Sequence, residues 1–147
     1  MRILVHNAPF DPGAELNRFA AQGDNMGAVV SFTGVVRNSD NGDLEAMEIE
    51  HYPGMTESAL TTIATTAMNR WSLGDILVIH RFGRLRPGDQ IMMVATSSRH
   101  RVDAFQAAEF LMDYLKSRAP FWKREITRDG ADWVAAKDDD EDALKRW

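Results

Sequence analysis

The chain has 147 residues, 44% of them hydrophobic and 27% charged, which suits one soluble globular domain spanning residues 1–147 with its own core. Its net charge of −5 (22 Asp and Glu against 17 Lys and Arg) lacks the basic excess of a nucleic-acid binder, and the absence of cysteine excludes disulfides, thiolate metal sites and a cysteine nucleophile. No apolar run approaches the ~20 residues of a membrane span and MRILVHNAPF has no signal-peptide core, so a cytoplasmic protein without membrane contact is expected.

Residues 2–7 read as a first strand. Asp11-Pro12 then reads as an N-cap followed by proline at the first helical position, opening a helix to about Ala21. The β-branched run Gly27 to Arg37 reads as a strand, with Gly34 marking a bulge or a close backbone approach. The polar stretch Asn38 to Asp43 and the alternating Leu44 to Tyr52 complete an expected hairpin over 27–52 with a long, mobile tip.

Pro53-Gly54 breaks the strand, and Met55, Leu60, Ile63, Ala67 and Met68 give a helix to about Trp71. Asp75 to Leu85 and Gln90 to Ser97 read as strands joined by the turn Arg86-Pro87-Gly88-Asp89. Val102, Phe105, Ala108, Met112 and Leu115 place one apolar stripe on a helix that ends near Ser117, before Pro120. Short strands are expected at 121–127 and 132–136, and the acidic run 138–142 reads as a solvated tail. A terminal Trp147 suggests docking, on this subunit or a partner. The element order implies an α+β domain with a mixed or antiparallel sheet and helices on one face.

Chemistry concentrates in Lys116 to Glu125, KSRAPFWKRE. Here Lys116, Arg118, Lys123 and Arg124 surround a rigid Ala-Pro-Phe-Trp insert and face only Glu125. Lysines beside bulky aromatics are partly desolvated, so they hold anions firmly or work with a lowered pKa. Ser98-Arg99-His100-Arg101 precedes the best helix, whose N-terminal N–H groups favour an anion such as phosphate or carboxylate. Arg37, at a strand end, can reach into a cleft, whereas His80 within ILVIH reads as a core or edge histidine. The four histidines have no metal-ligand spacing, so neither a metal nor a cofactor is expected. His100 and Lys116 lie roughly 22–24 Å apart along one helix. A single small ligand does not easily touch both within one chain, so either one group lies outside the site or the site combines two subunits; a dimer with composite pockets is expected.

FTGVVRN (32–38), EHYPGMTE (50–57), VIHRFGRLRPGD (78–89), SSRHRVDAF (97–105) and MDYLKSRAPFWKRE (112–125) together resemble the large, catalytic subunit of molybdopterin synthase, a sulfurtransferase of molybdenum cofactor biosynthesis. The resemblance implies an α/β-hammerhead-like fold with an added antiparallel β subdomain. It also implies conversion of cyclic pyranopterin monophosphate (precursor Z) into molybdopterin. Two sulfurs come from the C-terminal thiocarboxylate of a small ubiquitin-like partner, within a heterotetramer built on a homodimer of large subunits.

By the same resemblance Lys116 and Lys123 are the catalytic lysines, Lys116 near the inserted tail and Lys123 binding or polarising the substrate. Arg37, His100, Arg101, Arg124 and Glu125 match substrate-binding positions. Val35 and Val36 adjoin them, Val35 contributing no more than its backbone, and Lys137 is a further candidate. Two other readings fit the basic pocket: a dimeric anion-binding module without chemistry, and a scaffold that docks a ubiquitin-like protein.

Overall fold

The computed structural model describes residues 1–147, and its β-branched and alternating stretches form two four-stranded sheets. The first sheet runs in the order β1 (Arg2–His6), β4 (Leu73–Arg81), β6 (Gln90–Ser98), β2 (Ala28–Val35). β1 lies parallel to β4 and the other neighbours are antiparallel, so this sheet is mixed. The second sheet is wholly antiparallel, in the order β5 (Gly83–Leu85), β3 (Leu44–His51), β7 (Phe121–Thr127), β8 (Gly130–Trp133). The helices are α1 (Pro12–Gln22), α2 (Met55–Arg70), α3 (Arg101–Arg118) and the short α4 (Asp138–Ala143), followed by a 3-10 turn at Leu144–Arg146. The α+β class and the added antiparallel subdomain are as expected.

The local signals at helix ends act as read. Asp11 caps α1 by accepting a hydrogen bond from the Ala14 amide at 3.1 Å, with Pro12 in the first turn. α2 starts where Gly54, at φ 84°, turns the chain, and the Glu57 carboxylate accepts from the Gly54 amide at 2.7 Å. α3 stops at Arg118, two residues before Pro120.

Four expectations need correction. Residues 27–52 are not a hairpin: β2 pairs with β6 in the first sheet, while β3 pairs with β5 and β7 in the second. The end of β2 turns instead onto the Arg86–Asp89 turn, with the Val36 amide donating to Asp89 and the Gly88 amide to Val36. The connecting loop is held by its own turn bonds, the Asn38 side-chain oxygen accepting from Leu44 N at 3.1 Å and Ser39 Oγ from Asp43 N at 3.1 Å. The strand expected over 75–85 is two strands, broken at Phe82 and at Gly83, whose φ of 93° lets the chain step from one sheet to the other.

Helices also cover both faces of the first sheet. α1 packs Phe19 against Leu77, Ile79, Met93 and Ala95 on one face. α2 and α3 bury Leu60, Ile63, Ala64, Phe110, Leu111 and Leu115 against Ile76, Val78 and Val94 on the other. Finally, the buried stripe of α3 is Ala104, Ala107, Ala108, Leu111 and Leu115, with Phe110 beside it. Val102 and Phe105, expected inside, are exposed. The small alanines bring the helix backbone close to the sheet, and this close approach sets which face is buried.

Val36, Leu44, Ile49 and Leu85 form a third apolar cluster with Phe121 and Ile91 at its border. These residues come from both sheets, so the cluster is the seam that joins them. The seam carries the site.

Candidate active site

A cavity of about 720 Å³ opens beside this seam. Its walls come from the end of β2 (Val35, Val36, Arg37), from His80 on β4, from Lys116 at the end of α3, from Phe121, Lys123 and Glu125 on β7, and from Lys137 and Asp140 in the C-terminal segment. β7 positions its share mainly by strand alternation: Phe121, Lys123 and Glu125 line the cavity from one face, Trp122 borders it near the strand start, and Arg124 does not reach it. The register is fixed by β3, with Ile49 opposite Lys123 and Glu48 opposite Arg124.

Arg37, Lys116, Lys123 and Lys137 thus meet two carboxylates, Glu125 and Asp140, around one space. None of the four cations has a carboxylate within 4.0 Å. An array of donor-only groups that outnumbers its carboxylates and pairs with none of them suits an anion with several acceptor oxygens. Two neighbouring arginines are committed: Arg118 grips Glu141 with two bonds of 2.6 and 3.0 Å, and Arg124 bonds Glu48 and lies 5.4 Å from the centroid of Trp133. The Arg124 guanidinium holds the Glu48 carboxyl below the usual carboxylate range.

Lys123 is half-buried, and burial with the neighbouring Lys116 ammonium draws its pKa from 10.5 down to about 8, against a weaker opposing pull from Asp140. Between pH 8 and 10.5 the unfolded chain holds a proton at this lysine that the folded chain has lost. Folding stability from this group therefore rises with pH across that window, by up to about 3 kcal/mol. Urea unfolding at pH 8 and pH 10 is expected to show the rise, and Lys123→Met is expected to remove it. An equal rise in that variant would assign it to other groups.

His80 is the cavity residue that sequence reasoning set aside as structural. It is 5% exposed, its ring stacks on Phe121 with centroids 3.7 Å apart, and its Nδ1 donates to the Arg81 carbonyl at 2.8 Å. Burial, with Lys123, His51 and Lys116 nearby, lowers its pKa to about 3, so the imidazole is neutral at physiological pH. The run ILVIH carries no mark of which end meets a cavity. Asp140 was likewise hidden in the acidic run, which is no free tail: residues 138–143 form α4, and Glu141 ties it to Arg118. Lys137, a weaker candidate from sequence, also lines the cavity.

His100 and Arg101 stand apart, at the N-terminus of α3, and do not line this chain's cavity. His51 bonds Thr56 at 3.1 Å and also lies outside it. No group of three or more histidine or carboxylate side chains is arranged to hold a metal ion, and no helix is long and apolar enough to cross a membrane.

The family model described as MoaE protein matches residues 5–118. The chain belongs to the MoaE family. It is 64% identical over 147 residues, covering both chains entirely, to the molybdopterin synthase catalytic subunit of Cereibacter sphaeroides. Among solved structures it is similar to the MoaE protein from Burkholderia ambifaria, at 50% identity and a TM-score of 0.85 over 99% of this chain and 97% of that one. It is also similar to molybdopterin synthase from Staphylococcus aureus, at 32% identity and a TM-score of 0.80 over 90% of this chain and 96% of that one. The MoaE match holds Arg37, His80 and Lys116, while the wall from Phe121 to Asp140 lies beyond it, in a part that the full-length relative still spans.

Proposed function

We propose that this chain is the catalytic subunit of a molybdopterin synthase, a sulfurtransferase that converts precursor Z into molybdopterin. The cavity of unpaired cations on a chain of net charge −5 carries the reading, because it suits a pterin bearing a phosphate. With no cysteine, the chain has no thiol with which to carry sulfur itself. A thiocarboxylate at the C-terminus of a small ubiquitin-like partner supplies it, and two loaded partners act in succession.

In this reading Arg37 and Lys123 hold the substrate phosphate and polarise the reacting part. Lys116, at the exposed end of α3, meets the incoming tail and stabilises negative charge as sulfur attacks. Glu125 and the backbone at Val35 and Val36 complete the substrate walls, and Arg124 holds the β3–β7 pair in place through Glu48. His100 and Arg101 reach a substrate by belonging to the second subunit's pocket in a homodimer, within a cytoplasmic heterotetramer. The free edge strand β2 exposes Val29, Phe32 and Val35, an apolar surface that supports such a dimer.

The test is reconstitution. The protein is mixed with a thiocarboxylated small subunit and precursor Z, and dithiolene-bearing molybdopterin is assayed. Product that requires the thiocarboxylate supports the reading. A bound partner with no product refutes it and favours a docking scaffold.

A further inference from the structure

We propose that His80 is a further substrate-contacting residue of this cavity, a neutral acceptor whose Nε2 receives a hydrogen bond from an N–H of the bound pterin. The inference rests on the molybdopterin-synthase reading above.

The geometry fixes the tautomer. A carbonyl oxygen can only accept, so the 2.8 Å contact from Nδ1 to Arg81 puts the ring proton on Nδ1 and leaves Nε2 with a bare lone pair. That nitrogen has no protein partner and is not among the unpaired nitrogens sealed from solvent, and the residue lines the cavity. Parallel stacking on Phe121, at an interplanar angle of 16°, holds the ring plane. Phe121 is itself set by β7, which also carries Lys123, so acceptor and cation are placed by one strand.

Chemistry gives the acceptor a use. Arg37, Lys116, Lys123 and Lys137 are all donors, suited to phosphate oxygens, yet a pterin also carries N–H groups that lose their water partners on binding. Glu125 and Asp140 can accept, but each brings a negative charge toward the phosphate. An imidazole kept uncharged accepts without that repulsion. Burial disfavours its protonation most, the Nδ1 bond to the Arg81 carbonyl opposes this, and the neighbouring Lys123, His51 and Lys116 add to the burial.

Two measurements test this. In the first, the wild-type protein with labelled imidazole nitrogens is titrated with precursor Z and followed by nitrogen NMR. The expected result is an Nδ1–H tautomer that does not titrate between pH 5 and 8, with an Nε2 resonance that shifts as the pterin saturates the site. An Nε2 resonance that stays put at saturation, or no saturation at all, overturns the proposal. In the second, the reconstituted synthase is assayed with His80→Phe, which keeps ring stacking but loses the acceptor, and with His80→Gln, which keeps a neutral acceptor.

His80→Phe is expected to lower kcat/KM about 10²-fold, mostly through KM, and His80→Gln to recover most of it. A fully folded His80→Phe with wild-type kcat/KM overturns the proposal. If the wild-type protein binds the pterin but makes no product with a loaded partner, the functional reading fails. The NMR titration then still decides His80.

Discussion

Lys116→Ala and Lys123→Ala are each expected to lower molybdopterin formation about 10²–10³-fold while leaving the fold intact. Neither ammonium has a carboxylate partner, so neither removal strands a charge; burial is the main cause of the lowered Lys123 pKa, and losing either lysine relieves the Lys116–Lys123 repulsion that adds to it. Loss of activity with a thermal transition no lower than that of the wild type is therefore the signature of work on substrate. Near-normal turnover in either variant would end that lysine's assigned role.

The Lys123 charge also predicts a pH profile. In its proposed role as the cation that binds phosphate, Lys123 loses its charge in the free enzyme as pH rises through about 8, so kcat/KM is expected to fall there. A bound phosphate favours the ammonium, and the fall in kcat is displaced to higher pH. Lys123→Arg, which keeps its charge, is expected to flatten this limb. A profile that rises through pH 8 would instead make the neutral amine the working form.

Trp147→Ala is expected to release the C-terminal wall of the cavity. The Trp147 indole donates to Asp113 at 2.6 Å, and its ring meets Trp71 and Phe110 edge-on at 5.7 and 5.6 Å. Arg70 reaches the Trp147 backbone oxygen at 2.7 Å, while Arg146 binds Asp113 and Glu109 on α3. These contacts clamp the segment that carries Lys137 and Asp140. Losing the indole is expected to cost about 2–3 kcal/mol, mostly as local opening. Hydrogen exchange over 138–146 then accelerates and KM for the pterin rises, while the first sheet keeps its protection. Unchanged exchange over 138–146 would show that the Arg118–Glu141 pair suffices to hold the wall.

Local chemistry was legible in the sequence and long-range pairing was not. Asp11-Pro12, Pro53-Gly54 and Arg86-Pro87-Gly88-Asp89 act over a few residues, and each breaks or caps the chain where expected. KSRAPFWKRE delivers Lys116 and Lys123 to one cavity because a helix end and a strand start meet at Pro120. By contrast, β2 and β3 are neighbours in sequence and partners of other strands, which no pattern inside either strand announces. His80 was hidden for a related reason. Its apolar run reports burial truly, and burial is also what keeps it neutral beside the lysines. The α3 stripe was misphased because its buried positions are largely alanine, weak in any hydrophobic reading yet favoured where a helix lies close to a sheet.

The seam between the sheets also bears on how the chain reaches its working state. Arg37, His80, Lys123 and Lys137 come from four separate stretches, and they converge only after β4 has joined the first sheet and β7 has paired with β3. Pairings so distant in the chain form slowly, because their loop-closure entropy is lost before any contact compensates it. Collapsed intermediates with one sheet formed would hold these cations apart and bind the phosphate poorly. A multivalent anion present during refolding thus acts selectively on the finished molecule, adding about 2.7 kcal/mol at a hundredfold excess over its Kd. On the proposed function, capture of the pterin phosphate would be in effect a read-out of completed assembly.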